Sequence, residues 1–169
     1  MLILRGDPLL IGRPEGFLFF VIRPAQPGRD TKILIQLATN SYNAYNNWAG
    51  FSLYAFHGYS NLQGHRVSFN RPLTGFFDNW EQPFVAWAER NGYVLDYAVN
   101  TDLEFHPELL QHYKLVLSVG HDEYWSAGMR DNLETFIANG GNAAFFSGNS
   151  VCWQVRCEEE GRVLTCWKQ

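Results

Sequence analysis

Residues 121–124 read His-Asp-Glu-Tyr: an imidazole, two carboxylates and a phenol on consecutive positions, between the apolar run "LVLSVG" and the segment "WSAGMRDNLETFIANGG". Groups of these types, this close, suit proton transfer between imidazole and carboxylate, or metal binding through a carboxylate and an imidazole. A plainer reading makes them the start of a helix, with Asp122 or Glu123 favouring the dipole and Tyr124 and Trp125 packing as a staple. Two other places carry comparable side chains. "TNSYNAYNNW" holds Tyr42, Tyr45 and Trp48, and Asn149 follows Gly148 after another apolar run. Loop tyrosines taken singly are usually packing, and Gly-Asn usually marks a turn. His57, His65, His106 and His112 show no paired metal-ligand spacing and read as surface or structural. Asp102 and Glu104 read as solvated charge where a loop or short helix begins.

The common catalytic signatures are missing: no GxSxG elbow, HExxH, Walker loop or strand-following GxGxxG occurs. Residues 115–138 have the strand-turn-helix layout in which class I glutamine amidotransferases carry a nucleophilic cysteine. Here no Cys or Ser stands in the turn before Ser126, which excludes a simple thiol mechanism at this place.

The surrounding pattern supplies the scaffold. Runs at 17–23, 32–38, 93–99, 114–120 and 142–148 read as strands. The last four are short and apolar on both faces, as in a buried parallel sheet. "PFVAWAERNG" has Pro83 in a first helical turn, apolar Phe84, Trp87 and Ala88, and Gly92 as a stop. "SAGMRDNLETFIANGG" has Ser126 as N-cap, Met129, Leu133, Phe136 and Ile137 on one face, and Gly140 and Gly141 at its end. "HPELLQHY" supplies one or two turns. This alternation predicts a doubly wound α/β fold with a mostly parallel sheet and right-handed crossovers. Ligands bind such sheets at the carboxyl ends of strands, where the three polar segments emerge. Residues 40–78 lack sustained periodicity and read as a long functional loop, and the tail reads as a β-hairpin turning at "EEEG".

Length and composition set the bounds. At 169 residues the chain suits one α/β domain spanning 1–169. A formal charge of −4, with no basic run, argues against nucleic acid or an anionic membrane as partner. Thirteen Phe, eight Tyr and six Trp point to thick aromatic packing or an aromatic-lined site. Three cysteines, Cys152, Cys157 and Cys166, without CxxC spacing, read as reduced thiols. "FLFFVI" is too short to span a bilayer, and "MLILRGDPLL" lacks the layout of a signal peptide, so a cytoplasmic protein is expected.

The blocks "ATNSYNAYNNWAGFSLY", "ERNGYVLDYAVNTDLEFHPELLQHYKLVLSVGHDEYWSAGMRDNLETFIANGGNAAFFSGN" and "WQVR" resemble, in that order, the large (beta) subunit family of N,N-dimethylformamidase. The likeness is to its C-terminal region, an α/β domain like that of class I glutamine amidotransferases and flavodoxins, and covers nearly the whole chain. It implies a hydrolase of small N-substituted amides such as formamides, working by metal-activated water. The metal implied is one ferric iron held by two tyrosines and a glutamate. The glutamate falls on Glu123 and one tyrosine on Tyr45, with Tyr42 as the fallback. His121 and Asn149 match polar residues beside the substrate, the first moving a proton and the second stabilising an oxyanion. A small subunit and a homo-oligomer are the implied partners. The family's other ligand tyrosine precedes the segment resembling "ILRGDPLL", where "MLIL" holds none, so the chain is expected to be a piece of a longer protein with two of three ligands. That departure keeps a non-catalytic binding or structural domain in play. A zinc hydrolase with His121 as a ligand is the third reading.

Overall fold

The computed structural model describes residues 19–57, 59–72 and 76–168. Among them the chain order is β1 (Ile33–Leu37), α1 (Thr39–Tyr45), β2 (Arg66–Ser68), α2 (Glu81–Arg90), β3 (Asp96–Val99), α3 (Asn100–Phe105), β4 (Leu115–His121), β5 (Tyr124–Ser126), α4 (Ala127–Ala138), β6 (Asn142–Gly148), β7 (Trp153–Glu158) and β8 (Val163–Thr165). Short 3-10 turns join several of these. The main sheet has the order β3-β1-β4-β6 with every neighbouring pair parallel, so the expected α/β architecture with a parallel sheet is present.

Strand periodicity divides the core between the two faces of that sheet. Leu34, Ala98 and Val116 turn one way, against Leu103, Trp125, Met129, Leu133 and Phe136. Ile35, Leu37, Leu117 and Val119 turn the other way, against Tyr42, Val85 and Ala88. Both faces are dry at the central strands β1 and β4, which is why these read as continuous apolar runs, whereas β6, expected to be buried on both faces as well, is partly exposed, Phe146 to 60%. The tail hairpin forms as expected, β7 running antiparallel to β8. It joins β2 and β5 in a second sheet of order β2-β8-β7-β5, packed around Ala44, Leu53, Tyr124, Val155 and Leu164.

Several sequence expectations need correction. Of the strand expected at 17–23, residues 17 and 18 lie outside the described residues, and 19–23 join no ladder. Phe19 instead covers the core, edge-on to Tyr42 at 6.0 Å and tilted against Phe77 at 5.7 Å. The segment read as a loop from residue 40 opens with α1, whose polar side chains hid its helical character. Tyr124 and Trp125 belong to strand β5 rather than to a helix start. Asp102 is buried, not solvated: it pairs with Arg23 at 2.7 Å and accepts the Val99 N–H at 2.9 Å. Glu104 is half-buried, its side chain against Gly128.

Helix α4 starts as its sequence predicts, with Ser126 Oγ accepting the Met129 N–H at 3.1 Å. Replacing this cap leaves a buried N–H without its acceptor. Ser126→Ala should lower stability by about 1 kcal/mol, read from the urea midpoint at unchanged slope.

Candidate active site

The strand order fixes where a site belongs. From β1 the chain crosses by α2 to β3 on one side, then returns past β1 to β4 on the other. The direction of winding therefore reverses between β1 and β4, and a crevice opens at their carboxyl ends. Helix α1 leaves β1 into that crevice, and residues 121–124 leave β4 into it.

The turn after β4 is built around Asp122. Its carboxyl is fully buried, accepting from Ser118 Oγ at 2.8 Å and from Asn100 Nδ2 at 3.2 Å. Burial raises its pKa, while the Ser118 and Asn100 hydrogen bonds pull the other way. Neighbouring residues in extended chain point to opposite sides, so an inward Asp122 turns His121 and Glu123 together toward the crevice. Gly120 lies at φ +86°, and a Cβ there would come within 2.7 Å of Trp80 Cβ. Only glycine lets the chain take this conformation under Trp80. The Glu123 N–H donates to Ser41 Oγ at 2.9 Å, tying the turn to α1.

Three of the sequence candidates meet here. Tyr45 Oη donates to Glu123 Oε2 at 2.5 Å, and His121 Nδ1 lies 3.4 Å from the same oxygen. The Tyr45 ring contacts His121, Tyr54, Phe76 and Tyr124 at centroid distances of 5.6, 4.9, 5.3 and 5.8 Å. Trp80 stacks on His121 at 5.8 Å. Burial, then the hydrogen bond and charge of Glu123, push the Tyr45 phenol well above its ordinary pKa. Glu123 is almost wholly buried, whereas the His121 side chain remains 26% exposed.

Tyr42 and Asn149 stand apart from this cluster. Tyr42 is buried and donates to Glu81 Oε1 inside the core. Asn149 is exposed, in a left-handed turn at φ 52°, one residue past Gly148, which pairs with His121 across the sheet. Its turn is held to the other strand end by Val151 N–H to Asp122 O at 3.0 Å and Trp153 N–H to Glu123 O at 2.9 Å. Sequence reasoning missed Glu81, Trp80 and Ser41. Glu81 showed no signal, because a glutamate opening a helix reads as ordinary dipole compensation. Among the described residues no group of three or more His, Cys, Asp or Glu side chains is placed to hold a metal ion.

The structure is thus that of an α/β protein with a parallel sheet and a phenol, a carboxylate and an imidazole gathered at its switch point. A family model described as "N,N-dimethylformamidase beta subunit-like, C-terminal" matches residues 12–169, and the chain belongs to that family. Similar proteins include the N,N-dimethylformamidase beta subunit of Alcaligenes sp, 29% identical over 73% of this chain and 18% of the relative. The N,N-dimethylformamidase beta subunit of Paracoccus aminophilus is 27% identical over 88% of this chain and 25% of the relative. The chain thus spans a quarter or less of these relatives' lengths.

Glu81 makes the interior pH-sensitive. Its Oε2 is buried without a hydrogen-bond partner, and burial raises the carboxyl from 4.5 to about 7. Across that window the native state keeps a proton the unfolded chain has released, so stability falls as pH rises through about 7. Urea unfolding between pH 5 and 8 should show this loss. Glu81→Gln should reduce it, leaving the share from Asp122, whose pKa burial also raises.

Proposed function

We propose that this chain carries the metal-binding part of an amide hydrolase, acting on small N-substituted amides such as formamides through a mononuclear iron centre. The observation that supports it is the convergence of Tyr45 Oη and His121 Nδ1 on Glu123 Oε2, at 2.5 and 3.4 Å, where the sheet opens. The donor chemistry fits: a phenolate and a carboxylate are hard anionic oxygens of the kind that select ferric iron over soft-ligand metals. Tyr45 and Glu123 would hold the ion. Tyr42 is the weaker choice, since its hydroxyl is engaged by Glu81 in the core. A ferric ion held there supplies Lewis acidity, polarising an amide carbonyl and acidifying water.

The chain's own groups account for the remaining steps. His121 presents Nδ1 to Glu123, which leaves Nε2 to exchange a proton with the departing amine. Trp80 covers one face of the imidazole and limits its rotation. Asn149, on the turn beside His121, would offer its side-chain N–H to the developing oxyanion. The products are a carboxylic acid and an amine. A class I glutamine amidotransferase-like subtype agrees with the parallel sheet and the turn's position after β4. The relatives are named as subunits, which supports a partner subunit for the assembled enzyme.

A second reading has its own observation. Trp48, Phe51 and Phe56 are exposed on the segment after α1, a surface suited to a binding domain without catalysis. Metal analysis separates the two. Protein purified without chelator should contain iron and show a tyrosinate-to-iron absorption band, and Tyr45→Phe should abolish the band. Glu123→Gln should lower iron content at least tenfold with the fold intact by circular dichroism. Colourless wild-type protein that takes up no added iron would favour the binding domain, and stoichiometric zinc would favour a zinc hydrolase.

A further inference from the structure

The segment that carries Trp80 also holds a buried group with no role in the site so far. Glu81, the first residue of α2, is wholly buried, and its Oε1 accepts from Tyr42 Oη and from the Ala38 N–H at 3.5 Å. Its Oε2 is buried without a partner. Such a carboxyl is a cost to folding, and two apolar side chains of the same shape would fill the places of Tyr42 and Glu81 at little loss. Packing alone leaves the glutamate unexplained.

Its neighbour gives it a use. Trp80 lies over His121, the ring centroids 5.8 Å and the planes 23° apart, and it stacks on Phe76 at 5.9 Å and 4°. The end of β4 passes close beneath, since a Cβ on Gly120 would stand 2.7 Å from Trp80 Cβ. Phe76 travels with Trp80 on the same short segment, and Phe77 anchors that segment by apolar contact in the core. Apolar burial is non-directional and sets the segment's depth without its orientation. Hydrogen bonds are directional, and the two that Glu81 accepts tie the start of α2 to Ala38, at the end of β1, and to Tyr42 in α1. Ala38 opens α1, the helix that delivers Tyr45 to Glu123. One side chain thus refers Trp80 to the elements that hold the carboxylate.

We propose that Glu81 is a positioning residue for His121. By fixing the start of α2 to β1 and α1, it holds the Trp80 ring on the imidazole and keeps Nδ1 turned to Glu123 Oε2, 3.4 Å away. Glu81 acts through Trp80 and touches no reacting group. Its effect on turnover rests on the amide hydrolase reading, whereas the placement of His121 stands without it.

Nuclear magnetic resonance on the metal-free chain tests the placement. Wild-type protein should show nuclear Overhauser contacts between the Trp80 indole and His121 imidazole protons. Tyr42→Phe/Glu81→Met replaces both partners by apolar groups and strands no hydroxyl in the core, so the fold should persist by circular dichroism. In that variant the ring contacts should disappear. Glu81→Gln keeps an oxygen toward Tyr42 and should retain them. If the wild type also cleaves N,N-dimethylformamide, the double variant should lose roughly tenfold in kcat at unchanged KM, while Glu81→Gln stays within about twofold. A folded double variant that keeps the ring contacts or its kcat would overturn the proposal, as would a Glu81→Gln protein that loses the contacts as fully. Loss of the folded state in the double variant would make the pair a structural contact and overturn it too. Ring contacts that respond as expected in a protein that cleaves no formamide would sink the hydrolase reading and support the placement of His121.

Discussion

The site depends on one buried carboxyl. Asp122 is drawn beneath the end of β4 by Ser118 and Asn100, and that inward turn sends its two neighbours outward together. Without it, extended backbone would leave His121 and Glu123 with no fixed side to face. The cost of burying the carboxyl is offset locally by hydrogen bonds from a strand residue and a helix residue. The same bonds join β4 to α3, so the geometry of the turn is referred to the main sheet rather than to a loop.

Helix α1 completes the arrangement from the neighbouring strand. Its polar side chains are almost all committed inward. Asn40 takes the Asn100 side chain through its N–H and gives Nδ2 to Tyr124 O, Ser41 receives the Glu123 N–H, and Asn43 is gripped by Arg71. Each bond crosses to a different element, so the helix cannot rotate without breaking several at once. Tyr45 is thereby delivered to Glu123 while Tyr42, one turn earlier, is delivered to Glu81.

This explains what could and could not be read in the sequence. The central strands β1 and β4 and helix α4 were legible because both faces of those strands are buried in apolar cores and because Ser126 and the glycines punctuate the helix. The turn at 121–124 was legible as a candidate site from its side-chain types, and the structure brings two of them, His121 and Glu123, to Tyr45. Helix α1 was not legible, since its order comes from tertiary hydrogen bonds to residues as far away as Glu123 rather than from an apolar stripe. The choice between Tyr42 and Tyr45 was likewise beyond local pattern, because their partners lie 39 and 78 positions along the chain. Asp102 was misjudged because Arg23, its counter-ion, stands 79 positions earlier.

The residues from Gly120 to Ser126 also end a strand of one sheet and begin a strand of the other, with only Asp122 and Glu123 between. A lengthened chain at this joint would pull the two sheets out of step and separate the imidazole from the carboxylate. Variation in length is better absorbed at the β7–β8 turn, where Glu159 and Glu160 are exposed and bear on no buried group. The fold therefore separates the places where it can accept new sequence from the joint that sets the spacing of His121 and Glu123, and a tag or an inserted loop belongs at the hairpin tip.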